Sequence, residues 1–297
     1  MPLAIPLPAV DSARVAALEE WMDRVLHRGE RVSPDWNVDD VHDLRVALRR
    51  CRTIAEALSE VNPDSGWRKL KKTSRELFRV LGGLHDTQVE RSHLKKLRFS
   101  SGADRKKMLG LLSRRERKQR KSAQQALERF DRKEWKKLAH KLSSKACFFP
   151  LGSVVFQRLA LVRLNVVAQL HQQAKIKRSS VGWHHLRVGL KHFRYVVENF
   201  LPQPYTVWSE DLKRMQDLLG DVHDLDVLRA DIRQHASKLE LANTPKWIEK
   251  IERERKARLQ EFAAKTAGAK APWPSWRQRF QLGHTLDAAP AAQRRTA

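Results

Sequence analysis

The sequence has 297 residues, of which 41% are hydrophobic and 31% charged, and its 59 Lys and Arg outnumber its 34 Asp and Glu. A net charge of +25 and a pI of about 10.6 indicate a polyanionic partner, because a field of this size destabilises the compact chain unless something screens it. The apolar runs are too short to span a bilayer and the N-terminus lacks a signal-peptide pattern, which excludes a membrane protein. Two Cys are too few for a disulfide scaffold. We therefore expect a cytoplasmic protein with neither cofactor nor metal.

Apolar residues recur at helical spacing along most of the chain, with little of the alternation typical of strands. This pattern predicts helices at 12–28, 38–61, 64–81, 86–98, 102–128, 132–145, 151–177, 181–200, 207–219, 222–238 and 244–266. Asn62-Pro63 ends the second of these, Gly82-Gly83 separates the third from the fourth, and Pro202 and Pro204 follow the helix at 181–200.

Two further predictions concern helix starts and the C-terminal segment. Asp86 and Asp224 follow glycines and are predicted to cap the helices that begin there. Residues 267–297 are rich in Ala, Pro and Arg and are predicted to be irregular, with Trp273 and Trp276 as docking points.

An internal repeat divides the chain. VHDLRVALRRCR at 41–52 matches WHHLRVGLKHFR at 183–194, and LGGLHDTQV at 81–89 matches LGDVHDLDV at 219–227, in the same order. The boundary between the copies lies near 146–150. The sequence thus predicts an all-α protein made of two copies of one helical unit, each with enough helices for a four-helix bundle.

The first motif of each copy places cations along one helical face. His42, Arg45, Arg49 and Arg52 fall within an arc of about 80° and rise over about 15 Å. The second copy repeats this row as His184, Arg187, Lys191 and Arg194. Beside each row lies an apolar seam, which we expect to be core. The seams are Val41, Leu44, Leu48, Cys51, Ala55 and Leu58, and Trp183, Leu186, Leu190, Phe193, Val197 and Phe200.

Rows of like charge point to a linear polyanion, because Arg chelates phosphate oxygens and Lys supplies a compact point charge. Carboxylates from other helices would be the structural alternative. Nucleic acid is possible but not preferred, since no aromatic residues alternate with the cations to stack on bases. A metal-dependent phosphohydrolase is also disfavoured, because the His-Asp pair at His42 becomes His184-His185 in the second copy.

Neighbouring helices carry further basic residues that would widen such a site. On the third predicted helix Arg68, Lys71, Lys72, Arg75 and Arg79 share one face. Other candidates lie on the fifth helix and in the aligned positions of the second copy. These are Arg114, Arg117, Lys213, Arg253 and Lys256.

The doubled motifs resemble the CHAD family, the conserved histidine α-helical domain, over residues 12–266. The resemblance implies halves at 12–146 and 150–266, related by a pseudo-twofold axis around a basic central groove or pore. It implies binding of inorganic polyphosphate and association with polyphosphate granules in bacteria. We expect a protein that binds polyphosphate without catalysis. CHAD modules often accompany a triphosphate-processing domain, and we expect a stand-alone member because the residues before 12 are too few to form one.

Carried over by position, the ligand contacts are the two rows and the neighbouring basic residues. They are His42, Arg45, Arg49, Arg52, Lys72, Arg75, Arg79, Arg114, Arg117, His184, Arg187, Lys191, Arg194, Lys213, Arg253 and Lys256. In the family an Arg often precedes the Asp of the glycine motif. This sequence departs from that pattern, because His85 and His223 occupy the position. Asp217 also replaces a cation. These departures leave open a weaker second half or a pH-sensitive site.

Overall fold

The protein is all-α. The computed structural model describes residues 17–97, 102–146, 148–268 and 271–287, which form eleven helices and no strand. The helices are α1 (Ala17–Glu30), α2 (Val38–Val61), α3 (Ser65–Thr73), α4 (Arg75–Lys96), α5 (Gly102–Glu128), α6 (Arg132–Ala146), α7 (Val154–Lys177), α8 (Ser180–Phe200), α9 (Pro202–His235), α10 (Thr244–Thr266) and α11 (Pro272–Asp287). The predicted fold class is confirmed.

Several helices begin at polar caps that satisfy the free N–H groups of the first turn. Asn37 Oδ1 accepts from the Asp40 N–H at 2.8 Å before α2, and Ser179 Oγ accepts from the Gly182 N–H at 3.1 Å before α8. The predicted stop at Pro202 is also confirmed, because α8 ends at Phe200 and Pro202 becomes the first residue of α9. Capping therefore fixes the starts of the two helices that carry the cationic rows.

The break between the third and fourth helices lies at Ser74, and the prediction of a break at Gly82-Gly83 is wrong. The Ser74 hydroxyl donates to the Leu70 carbonyl at 2.9 Å, which ends α3. Gly82 lies inside α4, where a Cβ would lie 4.0 Å from Arg45 Nε. Two glycines cost a helix about 1 kcal/mol each, but packing against neighbouring helices outweighs that propensity. The predicted basic face over 68–79 is consequently divided between α3 and α4.

Helix α9 (Pro202–His235) is continuous across the break predicted between helices at 207–219 and 222–238, and it ends three residues before the predicted end. Gly220 lies in its interior, and a Cβ there would meet nothing within 4 Å. The predicted N-caps are wrong for the same reason, since Asp86 and Asp224 lie in the middle of α4 and α9. They are side chains of a helix face rather than of helix starts.

The C-terminal segment is helical over Pro272–Asp287, so the prediction of an irregular tail is wrong there. Trp273, Trp276 and Phe280 are buried, and Trp276 packs against Phe193 and Trp208 at ring-centroid distances of 5.6 and 5.1 Å. The predicted docking by aromatics is confirmed, and this burial stabilises the helix. Residues 269–270 and 288–297 of the predicted tail lie outside the described residues.

Both predicted seams are buried in one core. Leu44 and Leu48 of α2 and Leu186 and Leu190 of α8 are completely inaccessible to solvent and belong to the same apolar cluster. In the described chain α2 packs against α4 and α8, and α9 packs against α4 and α8. The helices that carry the repeated motifs therefore surround a common centre.

A second core lies between the α4–α5 and α9–α10 pairs. It joins Leu94 and Leu112 to Leu228, Ile232 and Trp247.

Charged side chains flank this second core and connect the two hairpins. Arg115 of α5 donates to Glu90 of α4 at 3.2 Å and to Asp231 of α9 at 2.8 Å. His235 Nδ1 lies 3.4 Å from the Asp231 carboxylate. We call Glu90, Arg115, Asp231 and His235 the hairpin charge cluster.

None of the helices in the described part of the chain has the length and apolarity needed to cross a membrane.

Candidate functional site

Cations from both predicted rows meet where α2 and α8 contact each other. Arg49 of α2 lies over the ring of Tyr195 on α8, with its guanidinium carbon 5.4 Å from the ring centroid. Tyr195 is one helical turn beyond Lys191, and Arg45 and Arg187 lie one turn before Arg49 and Lys191 in their own helices. We call Arg45, Arg49, Arg187 and Lys191 the central basic site.

No carboxylate of the described residues lies within 4.0 Å of any cationic atom of this site. Its members are half-buried, and the buried Nε atoms of Arg45, Arg49 and Arg187 have no hydrogen-bond partner in the described structure. Unpaired Nε atoms also occur in Arg91 and Arg194, which have carboxylate partners, so the lack of an ion pair and not the state of Nε distinguishes these residues. The structural alternative of carboxylate bridging does not apply to these four residues.

The electrostatic state of Lys191 reflects this crowding. Burial lowers its pKa, and the neighbouring charges of Arg187, Arg45 and Arg49 lower it further, to about 7. Burial also lowers the pKa of the Arg49 guanidinium. An anion bound among these groups would relieve both the desolvation and the repulsion.

The ends of the rows have structural partners. Arg52 Nη1 donates to the Lys71 carbonyl at 2.6 Å and to Ser74 Oγ at 2.9 Å. Arg194 donates to Gln216 Oε1 at 2.8 Å, and its Nε lies 3.5 Å from Glu198 Oε2. These two arginines hold α3 and α9 in place and are less available to a ligand than the four central cations.

At the other end of each row a histidine pairs with a histidine from the second motif of the same copy. The rings of His42 and His85 lie 6.1 Å apart, and those of His184 and His223 lie 4.9 Å apart with their Nδ1 atoms at 3.3 Å. Partial burial, followed by the charges of neighbouring His or Arg, lowers the pKa of His42, His184 and His223.

The carboxylates that the sequence predicted as caps lie near these histidines. Asp86 Oδ1 is 3.4 Å from His85 Nδ1, and Asp224 Oδ2 is 3.7 Å from His93 Nε2 across the α4–α9 contact. In the described part of the chain no three His, Cys, Asp or Glu side chains are arranged to hold a metal ion.

The remaining predicted contacts are exposed. Arg75 is close enough to Arg52 to lower its pKa, after the larger effect of burial and against the attraction of Glu56. Arg114 and Arg117 line a different depression of ≈ 370 Å³ on α5, shared with Glu116. No contact within the described residues connects the others to the central basic site. These are Lys72, Arg79, Lys213, Arg253 and Lys256.

Sequence reasoning missed the aromatic residues beneath the rows. Phe78 lies under Arg45 and Arg52, with guanidinium carbons 5.7 and 5.0 Å from its centroid, and Tyr195 lies under Arg49. The prediction that no aromatic residues alternate with the cations concerned the rows themselves, and these rings lie beneath the guanidinium groups instead. The signal was weak, since Phe78 lies on a different helix from the row it supports. The signal for the His–His pairs was the recurrence of His in all four motifs.

Comparison with known proteins supports the family that the repeated motifs resemble. Residues 16–233 match the model of the CHAD domain. The fold is similar to the crystal structure of the CHAD domain from the plant Ricinus communis, with a TM-score of 0.61 and 18% identity over 95% of each chain. No curated protein matches the sequence. Because the family model covers more than half of the chain, this protein belongs to the CHAD family.

Proposed function

We propose that the protein binds inorganic polyphosphate at the central basic site. The observation that carries this proposal is the convergence of four half-buried cations from α2 and α8, none of which forms an ion pair with a carboxylate of the described residues. Such an arrangement costs free energy in the unliganded protein and recovers it when phosphates neutralise the charges. Arginine suits this task, because its planar fork donates two parallel hydrogen bonds to phosphate oxygens.

The shape of the ligand follows from the rows. A single phosphate would reach only part of two helices whose cations rise over about 15 Å each, whereas a chain of linked phosphates contacts several cations in succession. The exposed Arg75 and Arg79 of α4 would extend such contacts beyond the central site. We therefore favour a linear polymer in a basic groove between the two halves, as the resemblance to the CHAD family implies.

Binding is proposed to occur without catalysis, at polyphosphate granules in the bacterial cytoplasm. Incubation of the protein with polyphosphate and Mg²⁺ or Mn²⁺ should release no phosphate above the rate without protein, and measurable release would overturn this part of the proposal.

The second candidate ligand is nucleic acid, which the aromatic rings near the rows favour. Their geometry argues against base stacking, since guanidinium groups already cover the rings of Phe78 and Tyr195. Competition separates the two ligands. Short duplex DNA should fail to displace long-chain polyphosphate at equal phosphate concentration, and efficient displacement would favour nucleic acid.

The direct test removes one central arginine from each half. We expect Arg45→Ala with Arg187→Ala to weaken polyphosphate binding at moderate salt by about tenfold or more, because each charged hydrogen-bonded contact contributes about 1.5–3 kcal/mol. Titration with polyphosphate of defined length measures the affinity, and circular dichroism checks that helicity is kept.

The matched control removes the same charge elsewhere. Arg277 and Arg279 are exposed on α11, so Arg277→Ala with Arg279→Ala should change affinity by less than the central pair does. Equal losses in the two double variants would mean that net charge, and not the central basic site, determines binding.

A further inference from the structure

A depression lined by arginines lies on α4 and α5, apart from the central basic site on α2 and α8. It has a volume of ≈ 370 Å³. Arg91 of α4 reaches it from one helix, and three arginines of α5 reach it from the other, together with the carboxylate of Glu116. The arginines of α5 are Arg114, Arg117 and Arg120. We call these four arginines and Glu116 the α5 basic depression.

One buried carboxylate holds two of these arginines in place. The Glu116 side chain is only 4% exposed, and it accepts a hydrogen bond from Arg91 and another, at 2.6 Å, from Arg120. A guanidinium group has five N–H donors, so each arginine keeps donors that Glu116 does not use. Because these two side chains are already ordered, an incoming anion loses less free energy in fixing them.

The other two arginines have no carboxylate partner. Arg114 and Arg117 are exposed, and neither forms an ion pair within the described residues. From Arg114 to Arg120 the arginines of α5 recur at steps of three and rise over about 9 Å. Gly110 leaves space beside them, since a Cβ there would lie 3.7 Å from Arg114 Nη1. Free guanidinium groups therefore border an open space with room for a ligand.

The charge of the depression indicates the size of that ligand. Four arginines and one glutamate leave a surplus of three positive charges. A phosphate group carries about −1.5 to −2 charge near pH 7, so two linked phosphates match the surplus and a single one does not. Arginine also donates parallel hydrogen bonds that fit phosphate oxygens.

We propose that the α5 basic depression binds a diphosphate group, carried either by inorganic pyrophosphate or by a nucleotide. Arg114 and Arg117 bind its oxygens directly, and the ordered Arg91 and Arg120 supply further donors. This site is additional to the polyphosphate site and does not depend on it. The protein would then bind a phosphate polymer where α2 meets α8 and a small phosphate compound on α5.

The test measures how far a ligand protects individual arginines. Phenylglyoxal modifies exposed guanidinium groups, and peptide mass spectrometry follows each of them. Inorganic pyrophosphate should slow the modification of Arg114 and Arg117 and leave Arg277, which is exposed on α11, unchanged. Orthophosphate should need about tenfold or more the concentration, because it lacks at least one charged hydrogen-bonded contact. Equal protection of Arg277, or equal potency of the two anions, would overturn the proposal.

ADP and AMP distinguish the two sources of the diphosphate group. ADP should protect Arg114 at lower concentration than AMP, which carries a single phosphate. ADP at least as potent as pyrophosphate would extend the site to nucleotides, and weaker ADP would restrict it to the inorganic anion. AMP as effective as ADP would contradict the requirement for two phosphates.

A variant that changes no charge tests the depression itself. Gly110→Leu places a side chain beside Arg114 and should weaken the protection by pyrophosphate. Gly102→Leu is the matched control, because Gly102 is exposed at the start of α5 and a Cβ there meets nothing within 4 Å. Circular dichroism checks that both variants keep their helicity. Full protection in Gly110→Leu would mean that pyrophosphate binds outside the depression.

The central variant separates this site from the proposed function. Arg45→Ala with Arg187→Ala should weaken polyphosphate binding and leave the protection of Arg114 by pyrophosphate intact. Loss of that protection would show that the depression is no independent site and would overturn the proposal. Intact protection with unchanged polyphosphate binding would uphold the site on α5 and contradict the proposed function.

Discussion

The central basic site and the hairpin charge cluster both lie where helices meet, but the first contains only cations and the second pairs cations with carboxylates. In the hairpin cluster Arg115 lies between the carboxylates of Glu90 and Asp231, whose side chains are only 4% and 10% exposed. In the central site the charges of Arg187 and Arg45 act on Lys191 and lower its pKa. Opposite charges in contact hold two hairpins together, whereas neighbouring like charges store repulsion that an anion relieves.

This contrast means that charge alone does not identify a binding residue. A chain of net charge +25 has cations almost everywhere, and most of those at helix contacts have a carboxylate partner, as the Arg50–Glu198 and Arg255–Asp226 pairs show. What distinguishes the central site is partial burial without compensation. We therefore predict that substitutions in the two regions change different properties of the protein.

The largest expected effect on stability comes from breaking the hairpin charge cluster. Burial and the neighbouring Asp231 already raise the pKa of Glu90 to about 8, so Arg115→Ala chiefly leaves the buried Asp231 carboxylate without its cation. We expect the free energy of unfolding to fall by about 3 kcal/mol. Chemical denaturation measures the change. The exposed Lys118 on the same helix is the control, and Lys118→Ala should stay within about 0.5 kcal/mol of the wild type. Equal stability of the two variants would contradict the structural role of the cluster.

Arg52→Ala should cause a smaller loss of stability, because Arg52 belongs to a row but has structural partners. Removing its hydrogen bonds to Ser74 and to the Lys71 carbonyl should cost about 1–2 kcal/mol of stability. Arg45→Ala should cost no stability, because it removes repulsion, yet weaken polyphosphate binding more than Arg52→Ala does. If Arg52→Ala were the more damaging variant for binding, the division of the row into central and terminal members would be wrong.

The smallest expected effect tests the continuity of α9. Gly220→Ala adds a methyl group where nothing lies within 4 Å, so we expect a gain of about 0.5–1 kcal/mol in the free energy of unfolding. Gly152, with φ of +77°, is the opposite case, and Gly152→Ala should destabilise the protein. A destabilised Gly220→Ala variant would mean that the helix breaks there after all.

The parts of the fold that follow from local chemistry were predictable. Helical spacing predicts helices at 38–61 and 181–200, which match α2 and α8, and the seams beside the rows are buried as expected. The errors at Gly82-Gly83 and Gly220 share one cause. Glycine lowers helix propensity locally, but long-range packing of α4 and α9 determines the outcome.

The sequence predicts the two rows of cations, but it does not predict which of those cations meet in the folded protein. Spacing places Arg45, Arg49 and Arg52 on one face, and it treats them alike. Only contacts between distant segments distinguish them, since Arg52 donates a hydrogen bond to Ser74 whereas Arg49 lies over the ring of Tyr195. Whether the halves are related by a pseudo-twofold axis stays a prediction.

Protonation of Lys191 makes both stability and polyphosphate affinity depend on pH. Its pKa in the folded protein is lowered to about 7 from an ordinary value of 10.5, so the unfolded chain binds more protons between these values. The stability of the unliganded protein should therefore rise with pH across this window. A polyanion bound at the site reverses the shift, and affinity for polyphosphate should fall as the pH rises above about 7.

Proton uptake on binding tests the central claim most directly, because it reports whether phosphates reach the middle of the site. Calorimetric titration with polyphosphate at pH 8, in two buffers of different ionisation enthalpy, counts the protons taken up. We predict close to one proton per bound site for the wild type and for the exposed control Lys137→Arg, and markedly fewer for Lys191→Arg. Binding of polyphosphate with no proton uptake, or with the same uptake in Lys191→Arg, would contradict the placement of the ligand among Arg45, Arg49, Arg187 and Lys191.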